Sequence, residues 1–276
     1  MLNKIKHEKN TDRKVAASAL TNAGNHINGL STIGRKNIRN FKNLPPIAFP
    51  AQTILTNQLL RSQSAEDSER LIPQLESIYL SSGEYLHQNG EFDGYIYFPE
   101  TAVISHLQTL TDGKTVEVAM IGREGASGIC ETFGSNRPAH YAQVTISGNL
   151  VRLRTETFKQ EFASSGSFQT HMLEYVNAYL IQISQRVVCE SFHVIEERLA
   201  SWLLMIQNRV KKNQWEITHE QISLILGVNR PTVTQAAKAL RDKNLIDYSR
   251  GRLKIINRLE LELSACECFS TLQNIH

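Results

Sequence analysis

Five side chains between residues 230 and 238, namely Arg230, Thr232, Thr234, Gln235 and Lys238, fall on one side of a helical register, and each can donate a hydrogen bond. The planar fork of an arginine fits the edge of guanine and a glutamine amide fits the edge of adenine, while threonine and lysine reach bases or phosphates. Arg230, Gln235 and Thr234 are therefore expected to read bases, and Thr232 and Lys238 to hold phosphates. Two further cations, Arg250 and Arg252, flank Gly251 between the apolar runs of "LIDYSRGRLKII". That pattern predicts a hairpin whose charged tip suits a phosphate backbone.

Two helices must hold these donors in place. In "ITHEQISLILG", Thr218 can cap a helix, with Gln221 closing a capping box and Ile217 and Ile222 forming a hydrophobic staple. Ile222, Ile225 and Leu226 form its inner face, and Gly227 supplies the backbone freedom that a sharp turn needs. The second helix begins at Asn229 or Arg230, with Pro231 tolerated in its first turn. Val233, Ala236, Ala237 and Leu240 make its buried stripe, leaving the donors outside. A capped helix, a glycine turn, a donor-rich second helix and a basic hairpin together predict a winged helix-turn-helix.

The charge distribution agrees. Residues 1–43 carry a net +7, residues 44–197 a net −9 and residues 198–258 a net +8, so the block that contains the motif favours a polyanionic partner. No apolar run approaches the roughly 18 residues needed to cross a bilayer, and no secretory leader is apparent, which predicts a cytoplasmic protein without a membrane partner.

Upstream, residues 1–56 read as a basic, disordered tail. Residues 57–165 begin with a short helix or two and continue as short alternating runs separated by turn signals such as Asn89-Gly90, Asp93-Gly94 and Asp112-Gly113. In the clearest hairpin, Val103, Leu107 and Leu110 and then Val116, Val118 and Met120 are expected on the buried face. Residues 166–190 switch to a helical period, with Leu173, Val176, Leu180, Ile183 and Val187 as a coiled-coil seam. The seam predicts a homodimer; the alternative is that the same stripe packs on the chain's own β-roll. Residues 191–276 hold "VIEERLASWLLMIQNRV", with Leu199, Trp202, Leu203 and Ile206 inward, followed by the basic motif.

Other chemistry has weaker support. Cys130, Cys189, Cys266 and Cys268 are too few and scattered for a disulfide framework and show no zinc spacing. Cys130, Cys266 and Cys268 still allow a redox- or metal-responsive sensor, although Cys266-x-Cys268 needs further ligands and His276 is its sequence neighbour. His87, Glu91, His106 and His140 are the candidates for a cupin-like metal enzyme, but without that fold's His-x-His spacing. Ser127 in "GASG" lacks the spacing of a nucleophile elbow. Neither enzyme activity nor a bound metal is expected. A basic face that holds acidic protein is the remaining rival.

Over residues 57–276, and most specifically through "ERLASWLL" and "ITHEQISLILGVNRPTVTQAAKALRDKNLI", the chain resembles the CRP/FNR family of bacterial transcription regulators. The resemblance implies an α+β protein: an N-terminal double-stranded, jelly-roll-like β-roll sensor, a long dimerisation helix and a C-terminal winged helix-turn-helix. It places Arg230 at a guanine-reading position and Thr218 at a phosphate-contacting one, and it implies a palindromic double-stranded operator, with RNA polymerase as a further partner. Pro231 stands where the cyclic AMP receptor protein has a base-contacting glutamate, and Gln235 where it has a second arginine. In the ligand-pocket region Gly125 and Gly128 match, but Ala126 replaces the ribose-binding glutamate and His140-Tyr141 replaces the Arg-Ser pair for the cyclic phosphate, with Arg137 three residues away. No cofactor is expected, and a cyclic nucleotide least of all. The N-terminal cysteine cluster of the iron–sulfur branch is missing, and no role follows from the residues alone for Arg123 and Glu124.

Overall fold

The computed structural model describes residues 47–48, 55–87, 92–134, 140–164 and 166–273. Most of the stretch expected to be a disordered tail, residues 1–56, lies outside them. Within it, β1 (Ile47–Ala48) pairs with β2 (Glu76–Leu80) at the edge of a sheet.

Between these strands lie α1 (Gln58–Arg61), capped by Asn57, and α2 (Ala65–Leu71), capped by Ser64. The roll then follows as β3 (Tyr85–His87), β4 (Tyr95–Pro99), β5 (Val103–Thr109), β6 (Thr115–Ile121), α3 (Ile129–Phe133), β7 (Tyr141–Ile146) and β8 (Gly148–Arg154). Its strands form two four-stranded antiparallel sheets, ordered β1-β2-β8-β4 and β3-β7-β5-β6. Ile96, Phe98, Ile104, Ala142, Val144, Leu150 and Leu153 are buried in the apolar core of the roll.

The β5–β6 hairpin departs from simple alternation. Val103, Leu107 and Met120 are buried as expected, but Leu110 is 59% exposed and Val116 and Val118 are only half-buried, whereas Ser105, His106, Glu117 and Ala119 are buried. Two causes act together. A register shift between His106 and Leu107 reverses the pleat, and the outer face of this sheet is covered by helices rather than by water.

Three helices follow the roll, α4 (Thr155–Ala163) against β4 and β8, and α5 (Ser167–Phe192) and α6 (Ile195–Val210) on that outer face. At 1.5 Å per residue, the 26-residue α5 is about 39 Å long. It lays Phe168, Met172, Tyr175, Tyr179, Gln182, Arg186 and Cys189 toward the body of the protein. The seam is a different stripe: Leu173, Leu180 and Val187 are exposed at heptad spacing, and Val176 and Ile183 are half-buried against the roll. The helix therefore meets its own roll mainly through aromatic and polar residues and leaves Leu173, Leu180 and Val187 facing out.

The helix-turn-helix follows as β9 (Gln214–Glu216), α7 (His219–Leu226), α8 (Arg230–Asp242), β10 (Ile246–Ser249), β11 (Arg252–Ile255), α9 (Arg258–Leu263) and α10 (Cys268–Gln273). Leu199, Trp202, Leu203 and Ile206 of α6 are fully buried in its core, as expected from their spacing. That core also contains Val103, Met120 and Ile146 from the outer face of the roll. No helix among the described residues is long and apolar enough to cross a membrane.

Buried polar contacts tie the two halves together. Glu117 of β6 accepts from Trp202 Nε1 at 3.1 Å and from the Ser105 hydroxyl. Arg186 of α5 donates through Nε to the Glu117 carbonyl (3.1 Å) and through Nη2 to the Ile225 carbonyl (3.0 Å). Arg198 donates to the Leu226 carbonyl at 2.6 Å, and Glu190 pairs with both arginines. The open carbonyls at the C-terminus of α7 thus meet two cations, where the helix dipole favours positive charge. Glu124 has a partner too: its carboxylate pairs with Arg209 Nε at 2.7 Å, while Arg123 Nε donates to the Arg209 carbonyl at 3.3 Å. Two of the cations in the basic block, Arg198 and Arg209, are consequently buried and serve internal contacts.

Burial pushes the Glu117 carboxyl above its ordinary range, against the opposing pull of Arg186. A raised folded pKa means that the native state holds the proton more tightly than the unfolded chain. Stability is thus lost as pH rises from the unfolded value of about 4.3 through the folded one. Glu117→Gln should remove this dependence: between pH 4.5 and 7.5, denaturant midpoints of the wild type should fall relative to those of the variant. Parallel pH profiles would show that Glu117 is not a buried titrating group.

Candidate nucleic-acid interface

The two helices of the motif are assembled as the local signals dictate. Thr218 caps α7, accepting from the Gln221 amide at 3.1 Å while the Gln221 side chain accepts from the Thr218 amide at 2.9 Å. Ile217 and Ile222 are buried beneath this box. Gly227 closes the helix at φ 65°, a left-handed conformation in which a side chain would be strained, and an added Cβ would stand 3.2 Å from Val116. Asn229 is the cap of α8, accepting from the Thr232 amide at 2.9 Å, which decides between the two candidate starts.

On α8, Val233, Ala236, Ala237 and Leu240 are buried, and Arg230, Thr234, Gln235 and Lys238 are exposed. Thr232 is half-buried and donates its hydroxyl to Asn229 Oδ1 at 2.7 Å, so part of its donor capacity serves the cap. Thr234 likewise donates to the Arg230 carbonyl at 3.0 Å. In the wing, Arg250 and Gly251 both have positive φ (50° and 77°), as a two-residue turn of the mirror-image type requires. Arg250 and Arg252 are exposed, and the 3.8 Å contact of Arg252 with Glu216 lies between exposed side chains, where such a pair contributes little. The structure thus brings the α8 donors to one open face and the two arginines to the wing.

Sequence periodicity does not reveal two residues at this surface. His219, the first residue of α7, contacts Thr234 Oγ1 through Nδ1 at 3.0 Å and stacks on Tyr248 of β10 with ring centroids 4.2 Å apart. Tyr248 in turn donates to the Ile217 carbonyl at 2.9 Å. This bridge joins α8 to the wing. Burial, followed by the nearby Arg230 guanidinium, lowers the His219 pKa and so favours the uncharged ring. No local pattern marks His219, because its partners lie on other elements.

Among the described residues, the pocket candidates of the roll face a closely packed interior. A Cβ on Gly125 would lie 2.3 Å from the Tyr175 ring, and Gly128 adopts φ 105° beside the Tyr95 carbonyl. His140 stacks on His106 at 3.9 Å and is half-buried, and Tyr141 packs edge-on to Tyr85 at 6.4 Å. Tyr175 donates to the Ala126 carbonyl (2.8 Å), and Tyr179 meets His106 Nδ1 at 2.7 Å. The cavity among His106, Gly128, His140, Tyr175 and Tyr179 is about 10 Å³, barely the size needed for one water. Burial lowers His140 to about 4, so it is neutral near pH 7 and its 3.4 Å contact with Glu131 is not an ion pair. Arg137 lies outside the described residues.

Of the enzyme candidates, His106 and His140 lie against each other. Both ring nitrogens of His106 are engaged at 2.7 Å, by Tyr179 and Ser127, and the His87 side chain and Glu91 lie outside the described residues. Cys130 is exposed on α3. Cys266 and Cys268 instead meet Cys189 and His193, while His276 lies outside the described residues.

Residues 197–263 match the Crp-like helix-turn-helix domain. No curated protein sequence matches the chain. Among solved structures it is similar to FixK2 of Bradyrhizobium japonicum, at 15% identity and a TM-score of 0.59 over 70% of this chain and 98% of that one. It is similar to the c-di-GMP-responsive global regulator CLP of Xanthomonas campestris, at 14% identity and a TM-score of 0.57 over 70% and 99%. A CRP/FNR-family transcriptional regulator of Thermus thermophilus shows the same fold, at 15% identity and a TM-score of 0.56 over 69% and 98%. Residues 197–263 are thus a Crp-like helix-turn-helix domain, and the fold around it is the one these regulators share.

Proposed function

We propose that the chain acts in the cytoplasm as a homodimer on a two-fold-symmetric duplex, with one α8 in each of two successive major grooves. The observation that carries this reading is the open face of α8, where Arg230, Thr234, Gln235 and Lys238 stand exposed beside the Arg250–Arg252 wing. Arg230, Gln235 and Thr234 read bases; Thr218, Thr232, Lys238, Arg250 and Arg252 hold phosphates. The exposed heptad of Leu173, Leu180 and Val187 supports pairing of two copies through α5.

The roll works without a cyclic nucleotide. Supporting this, the position that would need a phosphate-binding cation holds a neutral His140, and Tyr175 and Tyr179 fill the space beneath it.

Selection of duplexes from a random pool by the purified, ligand-free protein at two salt concentrations tests both statements. A two-fold-symmetric motif is expected. Salt-sensitive binding without enrichment would mean that an effector is required to set the spacing of the two helices, and no binding at all would remove the DNA reading. On the selected duplex, Lys238→Ala and Arg252→Ala should weaken binding to all sequences alike and reduce the salt slope by about 1 for each phosphate no longer neutralised.

A further inference from the structure

Away from the recognition face, four side chains from distant parts of the sequence converge at the joint between the long helix and the DNA-binding half. Cys189 lies in the last turn of α5 and His193 follows four residues later as its extended C-cap; Cys266 lies between α9 and α10, and Cys268 opens α10. Their ligand atoms all lie within 4.8 Å of one another. Cys189 Sγ stands 3.6 Å from Cys266 Sγ, and Cys268 Sγ stands 3.4 Å from His193 Nδ1.

The 3.6 Å and 3.4 Å separations fit ligands of one ion. Tetrahedral zinc, with Zn–S of about 2.3 Å and Zn–N of about 2.0–2.1 Å, spaces its ligand atoms about 3.5–3.8 Å apart. An iron–sulfur cluster, with several atoms between its cysteines, holds their sulfurs farther apart than this cage does. We propose that Cys189, His193, Cys266 and Cys268 form a Cys₃His site for a single zinc ion, which fastens the C-terminal turn to the hinge at the end of the long helix.

The surroundings fit that use. The three cysteines are buried, yet they form a cluster of their own, apart from the apolar cores of the roll and of the DNA-binding half. The sulfurs also have polar neighbours: Gln185 Nε2 donates to Cys268 Sγ at 3.0 Å, and Ser201 Oγ lies 3.0 Å from Cys266 Sγ while accepting from the Cys266 amide at 3.1 Å. Such outer contacts orient thiolate ligands and temper their charge. A Cys189–Cys266 disulfide is the rival chemistry, but it would leave Cys268 and His193 without a reason to converge. The placement also has a mechanical meaning. His193 and Val194 are the break between α5 and α6, so an ion held there fixes the angle at which the helix-turn-helix leaves the long helix.

Full-length protein, reduced and stripped with a chelator, should be titrated with cobalt(II) and then zinc(II). One equivalent of cobalt per chain is expected, with the intense visible bands of a tetrahedral thiolate site, bleached by one equivalent of zinc. Cys268→Ser and His193→Ala should each weaken zinc binding at least ~100-fold, since even the removal of an outer partner at a metal site reaches that range. Cys130→Ser should titrate like the wild type. Weak octahedral cobalt bands from folded wild-type protein, or less than one equivalent bound at saturation, would overturn the site. So would a trapped Cys189–Cys266 disulfide in a protein whose reduced form takes up no metal. Because the readout is metal uptake, it stands whether or not the chain reads DNA as proposed.

Discussion

Leu180→Glu should convert the proposed dimer into a monomer whose own fold is intact. Leu180 is 56% exposed in the single chain, so its replacement removes little from the core; the circular dichroism of the monomer should be unchanged and its unfolding free energy should stay within ~0.5 kcal/mol. In the dimer each copy gives up a buried leucine, worth about 1.5–3 kcal/mol, and by symmetry the effect counts twice. The dimer dissociation constant should therefore rise on the order of 10²- to 10⁴-fold. Repulsion between two facing carboxylates adds to this. Sedimentation equilibrium measures it directly, and duplex binding should fall in parallel because a monomer engages a single half-site. A variant that stays dimeric at micromolar concentration would show that α5 pairs through another face, or that the copies meet elsewhere.

Arg230→Ala should relax sequence preference at the base it reads while sparing general affinity for DNA. A good bidentate contact discriminates by about 1–3 kcal/mol, so its removal at both half-sites should weaken the preferred duplex on the order of 30-fold to 10⁴-fold. Binding to unrelated duplex should change only severalfold. Arg230→Lys separates the two contributions. It keeps the charge but not the planar fork, and it should hold general affinity near wild type while still losing preference. Competition binding against a scrambled duplex reads both variants. If Arg230→Ala kept the wild-type ratio of preferred to scrambled affinity, α8 would not be the base-reading element in the orientation proposed.

What can be read from sequence follows the range of the interactions. The helix-turn-helix is legible because its signals are local: the Thr218–Gln221 box, the stop at Gly227 and the 3–4 spacing of Val233, Ala236, Ala237 and Leu240 each act within one or two turns. The face of α5 that meets the roll is less legible, because Tyr175, Tyr179, Gln182 and Arg186 follow a second stripe beside the apolar one. Burial of Glu117 is not legible at all. It depends on Trp202, 85 residues away, and on the bulge at His106. The cysteine cluster is the same case: Cys189 and Cys266 are 77 positions apart, so no short spacing announces them. His219 stays hidden because its stacking on Tyr248 joins elements that sequence periodicity treats separately.

The presence of Val103, Met120 and Ile146 in the same apolar cluster as Trp202 and Leu226 has a practical consequence. Neither half of this molecule is a portable part. A fragment cut at the hinge would carry raw apolar surface from the interior on one side and an uncovered sheet, with the Glu117 carboxylate, on the other. Chimeras that join this reading head to a foreign input module should aggregate unless the new module brings its own β5–β6 ridge, or those positions are rebuilt as a water-facing surface.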